Sequence, residues 1–220
     1  VNDLVSIMKL LRGENGCPWD KEQDHHSIRK NFLEETYEVL EAIDNEDPFL
    51  LREELGDVLL QVVFHSQMEA EKDNFNFDDV ADEICKKLII RHPHVFGDLD
   101  VDSSTEVLKN WDNIKQATKK QETYTETLES VPKVLPALMR GYKIGQRAKR
   151  AGMDFNDTND AFFSLESEIS ELKQSMSDGD SQAIYDELGD VLFSAVNVAR
   201  KLEIDPEECL SKACEKFIEP

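Results

Sequence analysis

A six-residue sequence occurs twice in this chain of 220 residues: Glu-Leu-Gly-Asp-Val-Leu stands at 54–59 and again at 187–192. An α-helix turns by about 100° per residue, so Glu54, Asp57 and Gln61 would share one narrow arc of a helix in the first copy. Apolar side chains would fill the rest of its surface. The two acids are therefore predicted to face protein groups rather than bulk water.

A second pair of acids precedes the first copy. Glu35 and Glu38 lie on a segment whose apolar residues recur with helical spacing, and the turn 44–48 separates it from the repeated sequence. An antiparallel hairpin of the two helices would bring the acid pairs together. Two like charges ~4 Å apart repel by ~4 kcal/mol at an effective dielectric of ~20, so a divalent cation is the expected partner. Solvated surface acids are expected instead at three neighbouring positions, Glu34, Glu41 and Glu53.

The repetition includes both pairs of acids. Each recurs 133 positions later, which gives Glu168, Glu171, Glu187 and Asp190. Spacing within the hairpin is unchanged although most intervening residues differ. The sequence thus predicts two related helical hairpins with equivalent acidic sites.

Composition favours an all-α protein, because the chain has 9 Gly, 7 Pro and few alternating β-branched runs. The predicted organisation is two tandem helical-bundle domains. Residues 1–122 form the first, 123–133 a polar linker and 134–220 the second, whose last helix is expected to be cut short. Gly56 and Gly189 inside predicted helices cost about 1 kcal/mol each relative to Ala, which suggests close approach by another backbone or a ligand.

The net charge of −22 argues against nucleic acid and anionic membranes as partners, since both would be repelled. An anionic ligand would need cations to bring it in. No run of 18 apolar residues is present, and the first twelve residues are too polar for a signal peptide. The four cysteines form no C-x-x-C pair and are predicted to be reduced thiols of a cytoplasmic protein.

Clustered carboxylates without histidine suit Mg²⁺, with Mn²⁺ as the alternative. Such an ion can polarise a phosphoryl oxygen and lower the pKa of a water enough to make it a nucleophile, so hydrolysis of a nucleotide phosphoanhydride is the predicted chemistry. A di-iron bundle needs two Glu-x-x-His pairs, whereas only Glu22 to His25 occurs, outside the hairpin. A non-catalytic acidic interaction or nucleotide-binding module would explain the net charge but not the narrow acidic arc.

Two further features leave alternatives open. Trp19, in a loop rich in helix breakers, is either a core residue or a wall of a ligand pocket that could stack on a base. Basic residues recur at three- and four-residue steps on a later helix and form either a solvated, ion-paired face or a phosphate contact. These residues are Arg140, Lys143, Arg147 and Arg150.

The acidic pattern resembles the signature of the MazG nucleoside triphosphate pyrophosphohydrolases, within the all-α NTP pyrophosphatase superfamily. Four further stretches fit that family in the expected order: 15–20 (NGCPWD), 91–96 (RHPHVF), 135–138 (LPAL) and 196–200 (VNVAR). Together they cover nearly the whole chain, and the similarity is greatest to the two-domain bacterial type.

The resemblance implies conversion of a nucleoside triphosphate and water to a nucleoside monophosphate and pyrophosphate. It implies Mg²⁺ on Glu35, Glu38, Glu54 and Asp57, and a second site on the four repeated acids. It also implies a homodimer in which helices of two subunits complete each bundle. Candidate phosphate contacts in the first copy are Lys87, Arg91 and Lys115, and Trp19 is the candidate for base contact. Two-domain members continue past the position of Ile218 with Arg-rich sequence, so the second site is expected to lack such partners.

Overall fold

The computed structural model describes residues 1–107, 110, 111, 114 and 123–218. Regular structure in these residues is helical throughout, without strands, which confirms the predicted all-α class. The chain forms two compact units, Val1–Lys115 and Gln116–Pro220. None of the helices in the described ranges combines the length and apolar character that a membrane crossing requires.

The first unit is built from helices of very different length. They are α1 (Asn2–Arg12), α2 (Pro18–Glu22), α3 (Arg29–Asp44), α4 (Pro48–Ala70), α5 (Phe77–Arg91) and α6 (Pro93–Phe96). The predicted turn ends where Asp47 caps α4, its side chain accepting hydrogen bonds from the backbone N–H groups of Phe49 and Leu50. Pro48 occupies the first turn of α4, where its missing N–H has no consequence.

The core of the first unit surrounds the C-terminal half of α4. It consists of Met8, Ile28, Val63, Phe64 and Met68. Arg12 fixes the end of α1 to the end of α4, because its guanidinium donates two hydrogen bonds of 2.8 Å to the Glu71 carboxylate. The core therefore contains residues of the C-terminal half of α4, whereas Glu54 and Asp57 stand on its N-terminal half.

The second unit repeats the long hairpin. Its helices are α7 (Tyr124–Glu129), α8 (Ala137–Arg150), α9 (Thr158–Asp178), α10 (Ser181–Lys201) and α11 (Pro206–Ile218). Gly179 ends α9 in the left-handed conformation, with φ of 72°, and the Asp180 side chain caps α10 by accepting from the backbone N–H groups of Gln182 and Ala183. This tight connection makes α9 and α10 neighbours, as the repeat predicts.

Two buried glycines let α8 lie close to α10. A Cβ on Gly141 would lie 3.4 Å from side-chain atoms of both Phe193 and Val196, and a Cβ on Gly145 would lie only 2.6 Å from Nε of Arg200. The close approach of two helices is thus found at the glycines of α8. At Gly56 and Gly189 a Cβ would meet no described atom within 4 Å, so within this chain the predicted close approach is not found there.

The segment 123–133, predicted as a linker, carries α7 and belongs to the second compact unit. The division of the units falls at Lys115 and Gln116, earlier than the predicted end of the first domain. The attachment of α7 to this unit has a visible physical reason, because Nη1 of Arg147 on α8 donates to the carbonyl of Thr127 and to Oγ of Ser130. These bonds attach the end of α7 to α8.

Candidate metal centres in the two helical hairpins

Three glutamates of the first hairpin converge. Glu35 and Glu38 are three residues apart on α3, so they share one face of the helix, and Glu54 reaches them from α4. One carboxylate oxygen from each lies within 4.8 Å of the others. Asp57 lies one turn further along α4, outside this group of three but close enough for its charge to act on Glu35 and Glu54.

The electrostatics of this cluster oppose full ionisation. The pKa of Glu35 is raised by loss of solvation and then by the charges of Asp57 and Glu38. The pKa of Glu54 is raised by loss of solvation and then by Glu38 and Asp57. No ion pair in the part of the chain that the structure describes connects a basic side chain to these four acids. The cluster is therefore a concentration of negative charge that lacks an internal counterion there.

The second hairpin reproduces the arrangement. Ligand oxygens of Glu168, Glu171 and Glu187 lie within 4.8 Å of one another. The pKa of Glu168 is raised by loss of solvation and then by Glu171, Asp190 and Glu187. Asp190 holds the place in the repeat that Asp57 has in the first copy, and its charge acts on Glu168 as that of Asp57 acts on Glu35. Ser167 stands where the first copy has Glu34, and its hydroxyl donates to the Glu171 carboxylate at 3.0 Å.

Gln61, on the acidic arc of α4, is 7% exposed, and its Oε1 has no hydrogen-bond partner among the described residues. A buried amide oxygen without a partner is uncommon. The corresponding residue of the second copy is Ser194, also buried. The two hairpins therefore share their acids but differ in the neutral polar residue that follows them.

The candidate phosphate contacts lie on and after α5. Lys87 is exposed, and the guanidinium carbon of Arg91 lies 5.2 Å from the ring centroid of Trp111. Sequence reasoning gave Trp111 no role, although its aromatic type and its position four residues before a lysine could have drawn attention to it. Lys115 lies outside the described residues. In the described ranges, no hydrogen bond or ion pair joins Lys87 or Arg91 to the acidic cluster, so their role stays a prediction.

Trp19 lies on the short helix α2 and is 56% exposed. It is therefore not the core residue that a tryptophan often is. Contact with a base remains a prediction for this side chain.

Neither glutamate cluster includes a histidine. His25, the residue that prompted the di-iron alternative, has Nδ1 2.7 Å from Nδ1 of His65 and Nε2 2.6 Å from Oε1 of Glu69. Both metal-competent groups found among the described residues consist of glutamates alone. The geometry thus gives no support to a pair of Glu-x-x-His iron ligands.

The comparisons with known proteins agree with the repeated hairpin. The family model of the MazG nucleotide pyrophosphohydrolase domain matches residues 23–96 and 161–219. The chain belongs to the MazG family. The matched ranges contain all eight acids of the two sites, and the second range stands in the second copy of the repeat.

Two relatives match nearly the whole chain, and a third matches about two thirds of it. A nucleoside triphosphate pyrophosphohydrolase/pyrophosphatase MazG of Thermotoga maritima is 42% identical over 217 residues, covering 99% of this chain and 82% of that protein. A nucleoside triphosphate pyrophosphohydrolase of Escherichia coli is 44% identical over 220 residues, with 99% and 84% covered. One of Mycolicibacterium smegmatis is 40% identical over 153 residues, with 69% and 46% covered. The family predicted from the motifs, and with it the class of hydrolase, is confirmed.

Proposed function

We propose that this chain hydrolyses nucleoside triphosphates to nucleoside monophosphate and pyrophosphate, using Mg²⁺ bound to its glutamate clusters. The observation that carries the proposal is the convergence of three glutamate oxygens within 4.8 Å in each of two equivalent hairpins of a MazG chain. Mn²⁺, which takes similar oxygen ligands, is the alternative ion.

The donor set fits a hard divalent cation. Glu35, Glu38 and Glu54 offer carboxylate oxygens without nitrogen or sulfur, which is the ligand type of Mg²⁺. Asp57 completes the proposed first site. The equivalent ligands of the second site are Glu168, Glu171, Glu187 and Asp190. Loss of solvation and mutual repulsion raise the pKa of Glu35 and Glu54, so a cation would relieve an existing strain.

When bound, the ion would polarise a phosphoryl oxygen of the substrate and neutralise developing charge. The chain itself has to orient the substrate and move a proton. A carboxylate oxygen of Glu35 that does not bind the ion would accept the proton of the attacking water. The phosphoanhydride bond between the α and β phosphates breaks. If water attacks the α phosphorus, pyrophosphate leaves with the electron pair; if it attacks the β phosphorus, the nucleoside monophosphate leaves with the electron pair and pyrophosphate carries the oxygen of water.

Lys87, Arg91 and Lys115 are proposed to contact the phosphates. Trp111 supports this role for Arg91, because a guanidinium packed against an aromatic ring keeps its N–H groups available at its edge. Trp19 is proposed to contact the base, since its ring is accessible.

We also propose a homodimer. Apolar side chains on the acidic hairpins are exposed at equivalent positions: Leu55 is 52% exposed and Leu188, its counterpart, 47%. Further exposed apolar residues on the same four helices are Leu33, Tyr37, Leu40, Phe162, Phe163, Leu192 and Phe193. A second copy that covers these faces would complete the helical bundles and bury apolar area worth ~25 cal/mol per Å².

The net charge and the cysteines bear on the partners and the cellular compartment that we propose. A net charge of −22 disfavours nucleic acid as a partner. The four cysteines are free, three of them exposed, which fits the reducing conditions of the cytoplasm.

Product analysis tests the proposal. The full chain is incubated with ATP, GTP or dUTP and Mg²⁺, and the products are separated by ion-exchange chromatography. Nucleoside monophosphate and pyrophosphate in equal amounts support it. Nucleoside diphosphate and phosphate would assign a different hydrolytic reaction, and absence of turnover with every nucleotide would favour a non-catalytic acidic module.

A further inference from the structure

A basic cavity lies in the second unit at the C-terminal ends of α8 and α10. Its volume is about 570 Å³, within the range of small-molecule sites. Four of its lining residues are basic: Lys149, Arg150, Arg200 and Lys201. In a chain with a net charge of −22, such a concentration of cations is an exception that calls for a cause.

Nearby negative groups balance only part of this positive charge. Glu203 lines the cavity and Asp154 pairs with Arg200. The C-terminus of each helix adds about half a negative charge. None of the ion pairs in the described ranges involves Lys149, so its positive charge is available to a ligand.

Arg200 is held rigidly. Its Nε and Nη2 donate to Oδ1 of Asn197 at 3.2 and 3.1 Å, and Nη2 also donates to Oδ1 of Asp154 at 2.6 Å. The residue is 8% exposed and occupies space that only a glycine at 145 leaves free. None of the hydrogen bonds in the described ranges uses Nη1. A fixed guanidinium with an unused nitrogen beside a cavity is a suitable donor for an oxyanion.

The other cavity residues complete a varied set of donors. Lys201 is anchored through Nζ to the carbonyl of Phe155 at 2.9 Å. Tyr142 and Gln146 stand one turn apart on α8, followed by Lys149 after the next three residues, so their side chains share one face. Lys149 is exposed and is free to adjust to a ligand. Phosphate groups are bound by such combinations of fixed and adjustable donors.

This cavity is distinct from the metal centre of the same unit. Glu187 and Arg200 lie on α10 thirteen residues apart, which at 1.5 Å per residue corresponds to roughly 20 Å. A triphosphate held by the glutamates would not extend from one end of this helix to the other.

We propose that this cavity binds a phosphate-bearing anion, such as pyrophosphate or the phosphate groups of a nucleotide, at a site separate from the metal centre. The proposal goes beyond the proposed hydrolysis and does not depend on it. The cavity recognises the phosphate group itself, with Arg200 as the fixed contact and Lys149 as the adjustable one.

Titration calorimetry on the full chain in the presence of EDTA tests it. Without a divalent ion the acidic clusters repel anions, so binding reports the cavity. Pyrophosphate, orthophosphate, AMP and ATP are titrated separately, and saturable binding of at least one of them is expected to weaken as salt is added. Binding of the inorganic anions identifies the phosphate group as sufficient, whereas binding of AMP and ATP alone identifies a nucleotide; both support the proposal.

Lys149→Glu is the test variant and Lys143→Glu the matched control. Both lysines are exposed on α8, but only Lys149 lines the cavity. Lys149→Glu should weaken binding at least tenfold, and Lys143→Glu by less than twofold, with unchanged circular dichroism in both. The proposal fails if none of the four anions binds saturably, or if the two variants lose affinity equally, which would indicate non-specific attraction.

Discussion

Glu38 on α3 and Glu54 on α4 each bring a carboxylate oxygen to within 4.8 Å of the other. This close approach lies at the site where the sequence repeat places its acids. Loss of solvation, followed by the charge of Glu38, raises the pKa of Glu54. The arrangement is therefore poorly suited to the metal-free chain at neutral pH and well suited to a chain that holds a cation there.

Removal of one central glutamate from each cluster should abolish activity. We expect the double variant Glu38→Ala with Glu171→Ala to lose at least about 100-fold in Mg²⁺-dependent release of pyrophosphate, because each site then lacks one ligand of its metal. The single variants show which hairpin is active. Rates are measured with several nucleotides, and circular dichroism should remain near that of the unaltered chain.

Glu34→Ala is the control for this double variant. Glu34 is exposed and does not belong to the group of converging oxygens. Its removal should change the rate by less than twofold. Full activity in the double variant would exclude both clusters as catalytic sites.

Stabilisation by Mg²⁺ should increase with pH. Because the pKa values of Glu35, Glu54 and Glu168 are raised, the folded chain binds their protons more tightly than the unfolded chain does. Protonation of these groups therefore stabilises the folded chain. This stability is fully present at and below their ordinary pKa of 4.5 and is lost as the pH rises above it. A bound cation reverses that loss.

Thermal unfolding with and without Mg²⁺ at pH 5.5 and 7.5 measures this effect. At about 100 times its Kd, one bound ion contributes about 2.7 kcal/mol, and the increase in Tm should be larger at pH 7.5. Acids whose pKa is lowered elsewhere contribute equally with and without metal and cancel in the difference. An increase in Tm that is the same at both pH values would contradict a carboxylate site.

Sequence pattern was sufficient for the hairpins because the acids repeat at constant spacing. A helix fixes which residues share a face, so spacing alone paired Glu35 with Glu38 and Glu54 with Asp57. The turn at Asp47 and Pro48 was equally readable, since a capping acid before a proline is a local signal.

Packing between segments distant in the sequence could not be predicted in this way. The polar segment that contains Thr127 looks like a linker, and only the bonds from Arg147, twenty residues later, reveal that it is attached to α8. Gly145 gave no sign that it makes room for Arg200, whereas Gly56, which seemed to need a close neighbour, has none among the described atoms of its own chain. Such contacts depend on tertiary structure, which local spacing does not encode.

Glu69 should protect the first unit against acid. Hydrogen bonds from Lys72, His25 and Asn74, of 2.7, 2.6 and 2.7 Å, lower its pKa to about 2. This stability is present above the ordinary pKa of 4.5 and is lost as the pH falls from there towards 2. Glu69→Gln should therefore lower Tm at pH 7, and the difference from the unaltered chain should shrink with acidification.

Glu14→Gln serves as the control, because the Glu14 side chain is exposed and makes none of the described hydrogen bonds. Its Tm should follow that of the unaltered chain at every pH. A Glu69→Gln variant whose Tm difference stays constant between pH 7 and pH 3 would show that the carboxylate does not titrate as expected.

Two glycines of the second unit should respond in opposite directions to the same substitution. In Gly145→Ala the new Cβ would lie 2.6 Å from Nε of Arg200 and 2.8 Å from Oδ1 of Asn197, so the arginine must shift and the unit should lose about 1–3 kcal/mol. In Gly189→Ala the Cβ meets no described atom within 4 Å, and the better helix propensity of alanine should add about 1 kcal/mol. Urea denaturation followed by circular dichroism gives both values. Destabilisation by Gly189→Ala would mean that a ligand or a second copy of the chain approaches α10 at this position, and a concentration-dependent change in Tm would identify the second copy.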